Sequence, residues 1–229
     1  MVAEFLGTGL LVAIVVGSGI MASRLSPNDV GLQLLENSLA TALGLGVLIL
    51  VLGPVSGAHF NPVVSIVDAL AGRGMGLRPA QLSGYLLAQF SGAISGALLA
   101  NLMFGIPAAI ATTARVEFGT LLGEVIATAG LILVILGLSR TGRPAVTAAA
   151  VGAYIGAAYW FTSSTSFANP AVTIGRIFSD TFAGVAPLSA FAFIAAQLVG
   201  GAVGLAFAAV LFPRISQTAA DLVVPTTDR

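Results

Sequence analysis

The residues best placed to do chemistry in this chain are amides and carboxylates embedded in an apolar sequence. Two Asn-Pro dipeptides, in SGAHFNPVV (56–64) and SFANPAVTIGR (166–176), set Asn61 and Asn169 108 residues apart. Gln89 in AQFSGA and Gln197 in AQLVGGA keep the same offset. Glu4 with Thr8 in EFLGT and Glu124 with Thr128 in EVIAT form a third pair, offset by 120. Asn is a preferred helix N-cap, and Pro suits the first helical position because its missing N–H had no partner there. No nucleophile–base set and no metal-ligand cluster accompanies these pairs, so an enzyme, a cofactor or a metal site is not expected. The residue types point to recognition by amides and backbone groups rather than to catalysis.

The elements that must carry them follow from composition. Of 229 residues 57% are hydrophobic and 8% charged, with formal net charge zero, one His and no Cys. Soluble domains carry about 25% charged residues, so most of this surface faces something other than water. The 28 glycines suit close helix–helix approach in a bilayer. Neutral balance gives no reason to expect nucleic acid, and the absence of Cys excludes disulfides and thiolate metal sites.

A spanning helix needs about 20 apolar residues. Six stretches qualify: 2–22, 33–53, 80–103, 118–138, 146–164 and 187–211. The first is expected to be a retained span, because no small-residue cleavage site follows it. Arg73, Arg78, Arg140, Arg143, Arg214 and Arg229 fall on one side of these spans, and Arg24, Arg115 and Arg176 on the other. That excess predicts cytoplasmic termini by the positive-inside rule. The tail 216–229 is expected to be mobile.

The order of Glu-x-x-x-Thr span, second span, Asn-Pro segment and Ala-Gln span occurs twice, giving repeats of about 1–108 and 117–213. Three spans per half force the second half to enter from the opposite side, an inverted repeat with its functional centre near the midplane. NPVVSIVDAL (61–70) and NPAVTIGRIF (169–178) read as helices of about 15 Å, half the ~30 Å apolar thickness. Two of them, meeting at their N-termini, would together cross the membrane. GPVSGAHF (53–60) and TSSTSF (162–167) read as irregular backbone, which at that depth must be buried in protein or line a wet cavity. Their carbonyls would form one polar wall of a pore, with Glu4 and Glu124 accepting their N–H groups, since a deep carboxylate needs partners. For Glu4, so near the terminus, an interfacial position is the alternative. His59, the one histidine, reads either as a protonation gate or as a loop residue holding carbonyls in place.

With six spans, the duplicated Glu-x-x-x-Thr, SGAH-x-NP, NPA and paired Ala-Gln-Gly motifs, the chain resembles the aquaporin family, the major intrinsic proteins. The resemblance covers nearly the whole chain. It implies an all-α membrane protein of six transmembrane helices and two half-helices, forming a homotetramer with one passive pore per protomer and no cofactor. It implies that Asn61 and Asn169, with Val63 and Ala171 beside them, form the pore centre, where half-helix dipoles of about +0.5 charge each oppose cations. Val63 stands where the family has Ala, and only a packing effect is expected of it.

The resemblance further implies an outer selectivity filter at Thr41, Ala157, Ser166 and Val172, with Tyr159 a rival for Ala157. The family carries an arginine where this chain has Val172. Losing it removes a fixed cation and a fork of donors, leaving an uncharged, wider ring part-lined by hydroxyls. Arg176, a turn further on, is expected to pair with Asp180 rather than to replace the missing cation. The run after NPA is similar to that of a bacterial branch met alongside arsenic resistance. Small neutral solutes are thus implied as permeants: polyols, metalloid hydroxides such as arsenite, and water. A water-selective pore and a secondary transporter are the alternatives; the transporter would need coupling acids in the path, and neither Asn-Pro segment has one in its approach.

Overall fold

The computed structural model describes residues 1–71, 76–139 and 141–212. Arg73, Arg140, Arg214, Arg229 and the tail from 216 lie outside the described residues. Six long helices, α1 (Val2–Leu25), α2 (Val30–Ser56), α4 (Pro79–Phe104), α5 (Phe118–Ser139), α6 (Pro144–Phe161) and α8 (Pro187–Leu211), have the length and hydropathy to cross a bilayer. Two short ones, α3 (Pro62–Ala71) and α7 (Pro170–Gly175), start at the Asn-Pro dipeptides. Proline opens α3, α4, α6, α7 and α8, the position where it removes no helical hydrogen bond.

Boundaries depart from expectation in two instructive places. α2 runs through Pro54 to Ser56 and stops only at Gly57, whose φ of 82° closes the helix in the left-handed region. The irregular segment there is correspondingly shorter than 53–60. The second half-helix was expected over 169–178. It is α-helical only to Gly175, then tightens into a 3-10 turn over Arg176–Phe178 before Ser179 becomes extended. Ala111 and Val185 donate to the carbonyls of Ile177 and Arg176, so incoming loop backbone takes up these groups as the chain turns away.

Within each half the first long helix packs on the third, α1 on α4 and α5 on α8. Glycines make this approach possible. A Cβ at Gly92 or Gly96 would collide with the backbone oxygens of Phe5 and Gly9. One at Gly200 or Gly204 would sit 2.6 Å from the oxygens of Val125 and Ala129. These are the small-x-x-x-small pairs that draw membrane helices together where no hydrophobic effect drives them. α2 packs on α6, joining the halves, and α3 meets α7 at the centre. The outward faces carry large apolar side chains such as Leu39, Leu43, Val47, Leu87 and Leu188, all exposed.

Candidate functional site

The two segments leading into α3 and α7 hold a costly conformation. Ala58 and Phe60 both have φ of 50°, and Ser166 and Ala168 have φ of 51° and 47°. Thr165, with φ of 60°, makes a fifth; a non-glycine residue in this region costs roughly 1–2 kcal/mol, so something must hold these segments. Glu4 and Glu124 do. Glu4, fully buried, accepts His59 N–H at 3.0 Å, Phe60 N–H at 2.8 Å, Ser56 Oγ at 2.6 Å and Gln89 Nε2 at 2.7 Å. Glu124, equally buried, accepts Phe167 N–H at 2.9 Å, Ala168 N–H at 2.8 Å and Gln197 Nε2 at 2.7 Å. Each glutamine then donates onward, Gln89 to Ser65 Oγ and Gln197 to Thr173 Oγ1, tying the glutamate to its half-helix. Glu4 is therefore not interfacial.

The geometry has a direct consequence. In a trans peptide the N–H and the preceding C=O point in opposite directions. With the N–H groups of residues 59, 60, 167 and 168 turned to the glutamates, the carbonyls of residues 58, 59, 166 and 167 face away from them, into the cavity these residues line. A carboxylate buried on one side thus creates a strip of acceptors on the other.

At the centre the asparagines cross over. Asn61 Nδ2 donates to Ala168 O and Asn169 Nδ2 to Phe60 O, both at 2.8 Å. Each Oδ1 caps its own helix, from Val63 N–H in one case and from Ala171 and Val172 N–H in the other. Both asparagines line the cavity. Opposite the carbonyl strip the wall is apolar, built by Leu11, Leu45, Ile49, Leu131, Ile135 and Ile155. The cavity has a volume of about 50 Å³, above the ~10–15 Å³ that one water needs.

Other expected site residues fall less evenly. Thr41, Ser166 and Val172 line the lumen; Ala157 does not. It is exposed on the outer face of α6, and Tyr159, two residues on and so across the helix, takes that wall, its hydroxyl 3.2 Å from Thr41 Oγ1. Val63 and Ala171 are buried but off the lumen, Val63 packing toward Gly201 of α8. Position N2 of each half-helix faces a neighbour; position N3, Val64 and Val172, faces the cavity. His59 lines the cavity, with Nδ1 3.1 Å from Ser65 Oγ and its ring 5.3 Å from that of Tyr85. Its Nε2 and Ser166 Oγ are buried without a hydrogen-bond partner. The Arg176–Asp180 pair does not form: Asp180 accepts from Thr112 N and Oγ1, while Arg176 reaches the lumen wall.

Such an arrangement, capped stub helices joined tip to tip beside a lined cavity, has counterparts among known proteins. The family model described as Major intrinsic protein matches residues 1–166. Aquaglyceroporin AqpS of Rhizobium meliloti is 50% identical over 207 residues, covering 90% of this chain and 86% of that protein. The chain belongs to the major intrinsic protein family. Aquaporin Z of Brucella melitensis is 33% identical over 219 residues, covering 88% of this chain and 92% of that protein. The crystal structure of the aquaglyceroporin from Plasmodium falciparum matches with a TM-score of 0.72 at 22% identity, covering 94% of this chain and 97% of that one, a likeness of fold. This major intrinsic protein is a multi-pass membrane channel, not an enzyme.

Several lumen residues of this major intrinsic protein, Val64, Phe167 and Arg176 among them, were not expected there from the sequence. Val64 could have been found, since it occupies the place of Val172 in the 108-residue offset. Phe167 occupies the place of His59 by the same offset. Arg176 needed coordinates, because the 3-10 turn that begins there decides where its side chain points.

Proposed function

We propose that the protein is a passive channel for small neutral solutes, conducting glycerol-like polyols and metalloid hydroxides such as arsenite along with water. The observation that carries this is the two-sided lumen: acceptor carbonyls and asparagine amides along one wall, aliphatic side chains along the other. A polyol has the same division, hydroxyls on one edge and C–H groups on the other. Neutral arsenite presents hydroxyls in the same way. Ions lose hydration in such a file without full replacement, so they are excluded. The names of relatives, an aquaglyceroporin at 50% identity among them, support this reading.

The central constriction in this reading is the Asn61–Asn169 pair, and the outer one is bounded by Thr41, Tyr159, Ser166 and Val172. Glu4, Glu124 and His59 act by holding the backbone. The protein works as a homotetramer in a bacterial inner membrane with both termini cytoplasmic; apolar stripes such as Leu39, Leu43 and Val47 on α2 suit lipid or a neighbouring protomer. The test is stopped-flow swelling of proteoliposomes in water and glycerol gradients, together with arsenite uptake by cells carrying the protein. Flux of all three is expected. A pore that passes water while excluding glycerol and arsenite overturns the proposal.

A further inference from the structure

Among the lumen-lining groups Arg176 is unlike its neighbours. It is 3% exposed, and no acid pairs with it among the described residues. Asp180 is engaged by Thr112, and Glu124 is occupied by Phe167 N–H, Ala168 N–H and Gln197. A buried, unpaired cation is costly unless other groups replace its hydration. Two do so. Nε donates to Ala183 O, and the guanidinium lies over the Phe167 ring, 3.4 Å from its centroid, where the quadrupole attracts a cation. Both contacts fix the plane of the group. Neither uses the terminal nitrogens, whose donors make no hydrogen bond to the protein among the described residues. Phe167, Tyr159, Ser166 and Val172 border the same lumen, and Ser166 Oγ beside them is buried without a partner.

We infer that Arg176 is a specificity-determining residue of the pore: its terminal N–H groups donate to the hydroxyl oxygens of passing neutral solutes, and its charge turns cations back. The cation that Val172 lacks is on this view displaced by one turn and braced against Phe167, rather than deleted. The inference rests on the channel reading and adds the group that reads the solute. A wall with Arg176 and the Ser166 hydroxyl suits solutes bearing two or three neighbouring hydroxyls over those bearing one.

The experiment compares wild type, Arg176→Gln and Arg176→Lys in proteoliposomes at matched protein density, reading water flux, glycerol flux and sodium leak. For Arg176→Gln the glycerol-to-water ratio is expected to fall about tenfold, roughly 1.4 kcal/mol, and a sodium leak to open. Arg176→Lys keeps the charge and loses the planar fork, so sodium stays excluded while the ratio still falls. A wild-type ratio in Arg176→Gln overturns the inference, as does a uniform loss of all fluxes, which would mark a brace for the loop at Ala183. If Arg176→Gln fails to insert, Arg176→Lys decides: a lowered ratio supports the inference and an unchanged one overturns it. Wild-type vesicles that pass no glycerol would instead refute the channel reading.

Discussion

Replacing Glu124 by Gln keeps volume and shape and changes only what the group offers its neighbours. The carboxylate meets three donors, Phe167 N–H, Ala168 N–H and Gln197 Nε2, at 2.7 to 2.9 Å. A glutamine that keeps its oxygen on Phe167 turns its own NH2 toward Ala168 N–H and Gln197. Gln197 retains Thr173 Oγ1, but Ala168 N–H is left a buried donor without an acceptor, at about 1–3 kcal/mol. Loss of charge assistance in the remaining bonds adds about 1 kcal/mol. A total of about 2–4 kcal/mol corresponds to roughly 4–16 °C at the ~2–4 °C per kcal/mol of a chain this size. Trp160, the single tryptophan, sits at the end of α6 just before this segment, and its fluorescence during thermal unfolding in detergent is the assay. The left-handed residues Ser166 and Ala168 also lose their anchor, so conductance should fall even at temperatures where the variant stays folded. A Glu124→Gln protein melting within about 2 °C of wild type would refute the reasoning, because the lost acceptor for Ala168 N–H would then cost almost nothing.

Further outcomes follow from the same geometry. Val172→Arg places a second guanidinium in the lumen beside Arg176; glycerol flux in swelling assays should drop at least tenfold and water flux less, whereas equal loss of both would indicate misfolding. Gly96→Ala drives a methyl into Gly9 O and separates α1 from α4, costing about 1–3 kcal/mol as overpacking in a detergent melt. Gly119→Ala, where the nearest atom is Ser163 Oγ at 3.6 Å, serves as the silent control. Tyr159→Phe removes the hydroxyl facing Thr41; stability should change by only about 1 kcal/mol, while glycerol flux rises relative to water as the outer constriction loses an oxygen.

The scaffold was legible in the sequence because it is made of local rules. Six apolar stretches gave six spans, and Asn followed by Pro marked both half-helix starts, since capping depends only on adjacent residues. The anchoring glutamates were legible as well: a carboxylate in a span must find donors, and unpaired backbone supplies them. Which side chains face the lumen was harder. Ala157 against Tyr159 turns on 200° of helical rotation, and counting back across the irregular 162–167 segment carries an error of that size. Val63 and Ala171 were misplaced for a related reason, because proximity to Asn says nothing about the face a residue presents. Arg176 was assigned an i+4 partner by helical spacing from a half-helix expected over 169–178; the α-helix ends at Gly175 and Ser179 is extended, so the two residues share no helical face.

The two halves also show where a duplicated frame leaves freedom. The anchoring residues are the same on both sides: Glu4 and Glu124 accept loop N–H groups, Asn61 and Asn169 donate to loop carbonyls, and Gln89 and Gln197 donate to the glutamates. A change in one member of such a pair orphans buried donors at a cost that no change elsewhere repairs. Some residues that face the lumen at equivalent positions match, as Val64 and Val172 do, and others differ: His59 against Phe167, Ala58 against Ser166. Asp68, the counterpart of Arg176, turns off the lumen to accept Leu77 N–H at 2.8 Å. The anchoring contacts are therefore duplicated and the lumen lining is only partly so. One end carries an imidazole against Tyr85 and the other a guanidinium over an aromatic ring, so a solute meets different chemistry at the two mouths. Flux through a passive pore must still be equal in both directions at equilibrium. The asymmetry can then act only on which solutes enter and how tightly each mouth holds them, and that is a property that substitutions of the lumen set change without touching the glutamates that keep the pore open.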